Sequence, residues 1–566
     1  MTQPSSTALL ARAFSLHQAG RLTDAAAAYQ EALRSQPHNR AALNNLGALQ
    51  IQAGDYAAAV ATFGTLVAQR PDDAIARCNF GYSLIQLDRA SEAELHLRRA
   101  ISLRPDYAQA HNNLGIALAQ LNRFEEAAVA FAHALELEPA YADAANNLGD
   151  CLNRTGEGEH AAAVFEARLN EDPNDRRAGV GLALAHALQG RLRQAQEALE
   201  QLAEAHPDDA QVWRTLGLAH YWDAQLMSAE TAFRKALTLQ PDSGEASFGA
   251  AASLLGRGEF AAGWPLYEQR PEGSLGASLR FPHIPRWDGR PLPGMLLLYG
   301  EQGLGDVTQF CRYVPLVKER VGGIALLLDQ HWQALAPLLE SLPGIDALLT
   351  DVESLGGSGA PPVMACASIL SLPYLFNTTP TTIPRDIPYL RAPPTSRRAW
   401  SEMLRSVPTL RVGIAWAVYA RVEQLNVTRH KSVPFELLAP LFDIPGVSLV
   451  SLQKDPAGKA VRDTVAAGKL IDYSAEFHDF GETAALIENL DLVITTDTSV
   501  AHVAGALGKP VWMLDRFNTC WRWRLSTIDT PWYPTMRIFR QTQFGDWKAV
   551  VDQVAIELRR YVAANS

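Results

Sequence analysis

Residues 41–71 read AALNNLGALQIQAGDYAAAVATFGTLVAQRP, and residues 110–139 read AHNNLGIALAQLNRFEEAAVAFAHALELEP. Their shared pattern recurs along almost half of the chain. Pro37, Pro71, Pro105, Pro139, Pro173, Pro207 and Pro241 each stand 34 residues after the last, and so do Ala25, Ala59, Ala93, Ala127, Ala161, Ala195 and Ala229. Gly47, Gly81, Gly115, Gly149 and Gly217 form a third column, with Ala13 and Ala183 in its gaps. Gly20, Gly54, Asp88, Asn122, Gly156 and Gly190 mark a turn within each unit. The alanine lets two helices approach closely, the turn-former reverses the chain, and the proline ends the second helix because it has no N–H to give to the ladder. A helical pair of this kind buries its apolar face only against its neighbours, so the period predicts a superhelical α-solenoid with a concave groove. Seven units fill residues 1–241, and a degraded eighth, EASFGAAASLLGRGEFAAGWPLYEQRP, caps the stack over 242–275.

These columns resemble the tetratricopeptide repeat, whose groove typically holds an extended segment of another protein. Asn45, Asn79, Asn113 and Asn147 recur in the same register on the first helix of their units. A carboxamide offers both a donor and an acceptor, so four of them form a ladder that pairs with any peptide backbone. With stacked helices ~10 Å apart the ladder spans about 30 Å, the reach of roughly nine extended residues. It is similar to the ladder of the eukaryotic O-linked N-acetylglucosamine transferase, which implies that the four asparagines bind an acceptor peptide. The alternative is that they bridge neighbouring units.

The chain of 566 residues is 48% hydrophobic and carries a net charge of −11, ample for two or three cores and unsuited to sequence-independent nucleic-acid binding. Five scattered cysteines, with no CxxC pair, give neither a disulfide framework nor a zinc site. The opening MTQPSSTALLARAF lacks the pattern of a signal peptide, and no apolar run approaches ~20 residues. A cytoplasmic location and no membrane span are expected.

Past a proline-rich linker over 276–295, apolar runs (MLLLYG, GIALLLD, RVGIAWA, VSLVSL, DLVITT, PVWML) alternate with helical stretches. This alternation predicts βαβ units and parallel sheets, and a second proline-rich stretch divides them into lobes over 296–395 and 396–566, the latter ending in a helix. Two Rossmann-like lobes place ligands at the carboxyl ends of their strands. There the first strand runs into GEQGLGDVTQFCRYVP, where Gly303 and Gly305 allow a tight loop and Asp306 opens a helix. In the other lobe DLVITTDTSVAHVAGALGKPVWML puts Asp497, Thr498 and Ser499 at a strand–helix turn, with His502 one turn on, offering hydroxyls and helix amides to a phosphate. Arg429, His430 and Lys431 precede another helix and supply mobile positive charge for a departing nucleotide. The C-terminal run holds Arg516, Trp521, Arg522, Trp523, Trp532 and Trp547. Core packing is expected of the tryptophans, with Arg516, Trp521 and Arg522 the exceptions that would stack on a base or sugar.

The GxGDVxxxxxxxP pattern from Gly303 to Pro315 resembles the opening motif of the heptosyltransferases, glycosyltransferase family 9, which implies that Asp306 is the general base. The run from Asp497 to Pro510 is similar to that family's D-[TS]-G-x-x-H segment, with Ser499 in place of the glycine, and Lys431 aligns with its donor-phosphate lysine. Val418 and Tyr419 stand where related chains carry a Gly-Asn pair, so the donor stays open. No Asp-x-Asp occurs, so the usual ligand pair of metal-dependent glycosyltransferases is missing and no metal or cofactor is expected.

The whole layout resembles bacterial tetratricopeptide-repeat glycosyltransferases, including those that modify flagellin. That resemblance implies a GT-B fold of two Rossmann-like lobes and an inverting, metal-independent transfer of sugar from a nucleotide donor to Ser or Thr of a protein held in the groove. Its site would comprise Asp306 as catalytic residue and Gly303, Gly305, Arg429, Lys431, Asp497, Thr498, Ser499, His502 and Arg516 around the donor. The rival readings are a non-catalytic scaffold and an enzyme with a lipid-linked or polysaccharide acceptor.

Overall fold

The computed structural model describes residues 6–271, 280–356, 362–407, 410–418, 430–454, 458–525 and 527–565. The chain divides into two compact units, one ending at Gln189 and the other beginning at Gly190.

The first unit holds eleven α-helices among its described residues, from Ser6–Gln18 to Arg176–Leu188. Each sequence column has one physical job. Ala25, Ala59, Ala93, Ala127 and Ala161 are wholly buried where paired helices touch. The glycine column receives a large side chain from the second helix. A Cβ on Gly47 would lie 2.6 Å from the Phe63 ring, and one on Gly115 2.5 Å from Phe131. Gly149 and Gly181 grip Phe165 between them, at 2.4 and 2.3 Å. The turn column is left-handed at Gly20, Gly54, Asp88, Asn122 and Gly156, and its two non-glycine members are of the types that best tolerate that conformation. Asn39, Asp73 and Asp175 cap the helices that follow them.

The second unit opens with five more helices, Leu192–Ala205, Ala210–Trp222, Leu226–Leu239, Gly244–Arg257 and Phe260–Tyr267. They keep the same period, with Phe233 pinched between Gly217 and Gly249. Two parallel sheets follow. In the first, β1 (Leu292–Tyr299), β2 (Val321–Leu327), β3 (Ala347–Leu349) and β4 (Val363–Ser368) lie in the order β3-β2-β1-β4. In the second, β5 (Leu410–Ala415), β6 (Val447–Ser451), β7 (Leu492–Thr496), β8 (Val511–Asp515) and β9 (Met536–Arg540) lie in the order β6-β5-β7-β8-β9. Strands β7 and β8 are buried throughout, as parallel strands covered on both faces must be. The final helix, Trp547–Asn565, packs Val550, Val551, Val554 and Leu558 into the core of the second lobe.

Two boundaries differ from the sequence expectation. Part of the stretch read as a linker over 276–295 joins the first sheet, where Arg286 bridges to Cys366. Trp287 N–H donates to the Cys366 carbonyl at 2.9 Å, Cys366 N–H donates to the Pro285 carbonyl at 2.8 Å, and β1 begins at Leu292. Prolines are admitted there because the segment lies at a sheet edge, where a missing N–H leaves no gap in the ladder. The second lobe is joined before residue 396: Tyr389 N–H donates to the Ala506 carbonyl and Ala392 N–H to Glu488.

One core extends from the capping repeat into both lobes, through Phe260, Trp264, Tyr267, Trp521 and Trp532. The Trp264 indole donates to the Thr378 carbonyl at 2.8 Å. The last repeat has no ninth repeat to cover it, and the two lobes take that place. Among the described residues no helix is long and apolar enough to cross a membrane.

Candidate active site

The turn after β1 leads into the helix Leu304–Phe310, where Gly303 N–H donates to Asp306 Oδ2 at 2.9 Å and holds the carboxylate over the helix start. The other oxygen, Oδ1, accepts from the guanidinium of Arg522, which lies in the turn between β8 and β9. Arg522 is buried and held from three further directions. Its Nε donates to Gln309 Oε1 at 2.6 Å, its Nη1 to Cys520 Sγ at 3.2 Å, and its plane lies 4.4 Å from the Trp521 ring. Gln309 stands one helical turn after Asp306, so Arg522 spans neighbouring positions of one helix face.

The turn after β7 carries the second group. Thr498 caps the helix Ser499–Ala506 by accepting from Val500 N–H at 3.2 Å, and its hydroxyl lies 3.2 Å from that of Thr495. Asp497 is buried and pairs with Lys431 Nζ at 2.7 Å. Burial alone would raise the Asp497 pKa, but the Lys431 ammonium reverses this and holds the carboxyl well below the usual carboxylate range. Arg516 adds to that positive field. Ser499 occupies the first helical position, beside the cap.

His502 joins the two groups. Its Nδ1 lies 3.0 Å from the Tyr533 hydroxyl, its ring 5.3 Å from that of Trp523, and a Cβ on Gly305 would come within 2.6 Å of its Cδ2. Burial pushes its pKa down to about 4, so the imidazole is neutral near pH 7. Gly305 is therefore the place where the Asp306 loop rests on the opposite lobe, whereas the sequence reading gave it to the donor. Gly303, also read as a donor residue, is the cap that holds Asp306.

Arg429 lies outside the described residues, as does Tyr419. Trp521, Trp523, Trp532 and Trp547 are all buried, so Trp521 belongs with the packing tryptophans. Arg522, expected to stack on a base or sugar, is turned to Asp306 instead. The asparagine column is divided. Asn113 is buried with its amide 3.4 Å from Cys78 Sγ, and Asn147 donates to Asn112 Oδ1 at 3.0 Å while accepting from Arg177 at 2.7 Å. These two carboxamides bridge successive repeats. Asn45 and Asn79 are only partly buried. Gln309, Tyr533 and the buried Arg270–Glu301 and Arg540–Asp515 pairs were not anticipated. Among the described residues no group of three or more His, Cys, Asp or Glu side chains is arranged to hold a metal ion.

Tetratricopeptide-repeat models match residues 16–77, 78–136, 123–179 and 159–218, and the model of glycosyltransferase family 9 (heptosyltransferase) matches residues 475–544. The chain carries tetratricopeptide repeats and, toward its C-terminus, a segment that matches glycosyltransferase family 9. The family 9 match contains Asp497, Thr498, Ser499, His502, Arg516, Arg522 and Tyr533, while Asp306 and Lys431 lie outside it. Protein FlbA of Caulobacter vibrioides is 30% identical over 341 residues, covering 56% of this chain and 55% of that protein. The chain thus spans about half the length of this curated relative. Similar solved structures include a tetratricopeptide repeat protein from Parabacteroides merdae, with 18% identity, a TM-score of 0.38 and coverage of 44% of this chain and 99% of that one. MamA from Desulfovibrio magneticus, at 22% identity and a TM-score of 0.29, covers 31% of this chain and 99% of its own.

Proposed function

We propose that the protein is a glycosyltransferase that moves a sugar from a nucleotide donor to a Ser or Thr hydroxyl of an acceptor protein held by the repeats, with flagellin the candidate acceptor. The observation that carries this reading is the meeting of Asp306, from one lobe, with the family 9 segment that holds His502 and Arg522 in the other. In the reaction the acceptor oxygen attacks the anomeric carbon as the bond from that carbon to the phosphate oxygen breaks. The acceptor proton passes to Asp306, and the nucleotide leaves with the electron pair. Each carboxylate oxygen has a second lone pair, so the contacts to Gly303 and Arg522 leave Asp306 able to accept that proton. Attack from the face opposite the leaving group inverts the anomeric centre. Negative charge on the nucleotide is met by Lys431, the hydroxyls of Thr498 and Ser499, and the positive end of the helix Ser499–Ala506, with no metal called for.

The test is to incubate the protein with a flagellin and a panel of nucleotide sugars, and to weigh the flagellin by mass spectrometry. A gain of one sugar mass with one donor supports the reading. Nucleotide binding without transfer to the flagellin, while a lipid-linked or polysaccharide acceptor is modified, would reassign the acceptor. Binding without transfer to anything would make the protein a scaffold.

A further inference from the structure

The capping repeat reaches both halves of the candidate site. Arg270, just past the helix Phe260–Tyr267, is 1% exposed, and its Nε and Nη2 donate to the two carboxylate oxygens of Glu301 at 2.6 and 2.7 Å. Its remaining donors reach the Tyr267 carbonyl at 3.0 Å, Glu268 at 3.0 Å and Ser371 Oγ at 3.3 Å. Glu301 is itself buried and stands in the turn between β1 and the Asp306 helix. The next residue, Gln302, holds a left-handed φ of 57°, a conformation that a non-glycine residue keeps only when its surroundings impose it. On the other side Trp264 and Tyr267 pack edge-on against Trp521 at 5.5 and 5.9 Å, and Trp521 immediately precedes Arg522.

A buried ion pair adds little net stability, because desolvation offsets its attraction, but a two-pronged guanidinium–carboxylate contact fixes position and angle. We infer that Arg270 is a positioning residue: through Glu301 it fixes the loop that sets Asp306, which makes the capping repeat a working part of the transferase site. Only the catalytic consequence rests on the proposed function. The fixing of the loop does not.

The experiment compares the full chain with the double variant Arg270→Met, Glu301→Met and with Arg270→Lys. The double variant removes both charges together and leaves neither partner buried alone, while Arg270→Lys keeps the charge without the fork. Hydrogen exchange of the amides of residues 300–307 is expected to run at least about tenfold faster in both, with tryptophan fluorescence showing a folded second unit. If the double variant does not fold, Arg270→Lys decides. Exchange at the wild-type rate in a folded variant overturns the inference. With a donor that supports transfer, kcat is expected to fall by up to about 100-fold at unchanged donor KM, the effect of a small misplacement of the base. Wild-type kcat with a loosened loop would refute the catalytic consequence. A wild-type protein that transfers nothing would defeat the proposed function alone, since the exchange result would still decide the role of Arg270.

Discussion

Arg522 closes on Asp306 from the opposite lobe, so a single ion pair joins the turn after β8 to the helix that follows β1. The two residues are 216 positions apart in sequence, and their side chains are 9% and 21% exposed. Asp306→Asn keeps the shape of the side chain and a carbonyl oxygen for the Gly303 cap, but loses the charge. Transfer is expected to fall by about 100-fold or more, the usual worth of a positioned base, with nucleotide affinity unchanged by calorimetry. Unchanged transfer would remove Asp306 from the chemistry. The variant also leaves Arg522 uncompensated, and should cost on the order of 3 kcal/mol in urea unfolding.

His502 makes the second unit sensitive to acid. Its folded pKa of about 4 lies below the ~6.5 of an unfolded histidine. Between these values the unfolded chain binds more protons, so stability rises with pH across this window and is lost as pH falls through it. The loss between pH 7 and pH 4 is on the order of 3 kcal/mol from this group. All twelve tryptophans lie at or after Trp213, so their fluorescence reports the second unit alone. His502→Gln should flatten the dependence of the unfolding midpoint between pH 7 and pH 5.

Lys431→Met leaves Asp497 buried without its partner. Burial then raises its pKa, so the variant is destabilised most at neutral pH and recovers as pH falls and the carboxyl protonates. A fall in nucleotide affinity of about tenfold or more should accompany this, from the lost charge at the proposed phosphate seat. An unchanged dissociation constant for every nucleotide in the panel would place the donor elsewhere.

Gly305→Ala drives a methyl group into the His502 ring, since the added Cβ would lie 2.6 Å from Cδ2. Overpacking of this kind costs about 1–3 kcal/mol, and here it also pushes the Asp306 loop away from the facing lobe. Reduced transfer together with a lower unfolding midpoint is expected. In the first unit, Phe165→Ala empties the site between Gly149 and Gly181 and should cost about 3–5 kcal/mol by circular dichroism, with nucleotide affinity untouched.

The repeats were legible because each unit meets the same surroundings, so one requirement is written many times. The alanine, glycine and turn columns each recur with one packing role. The strand–helix alternation, the Asp497 turn and the helix at Asp306 were legible for a similar reason, since local pattern fixes local structure. Partners far apart in sequence were not. Nothing near Gly305 shows that its missing side chain makes room for His502, and nothing near Asn147 shows that Asn112 and Arg177 will occupy its carboxamide. The stretch 282–293 reads as a linker because Pro282, Pro285, Pro291 and Pro293 interrupt any regular ladder, although the sheet edge accepts Pro285 and Arg286 beside Cys366.

The most direct test of the account is the intact mass of flagellin after incubation with the protein and each nucleotide sugar, beside the Asp306→Asn control. The account predicts a mass gain of one sugar with at least one donor, absent in the control. Unmodified flagellin with every donor, from a protein that binds the nucleotide and modifies a different acceptor or none, would contradict it.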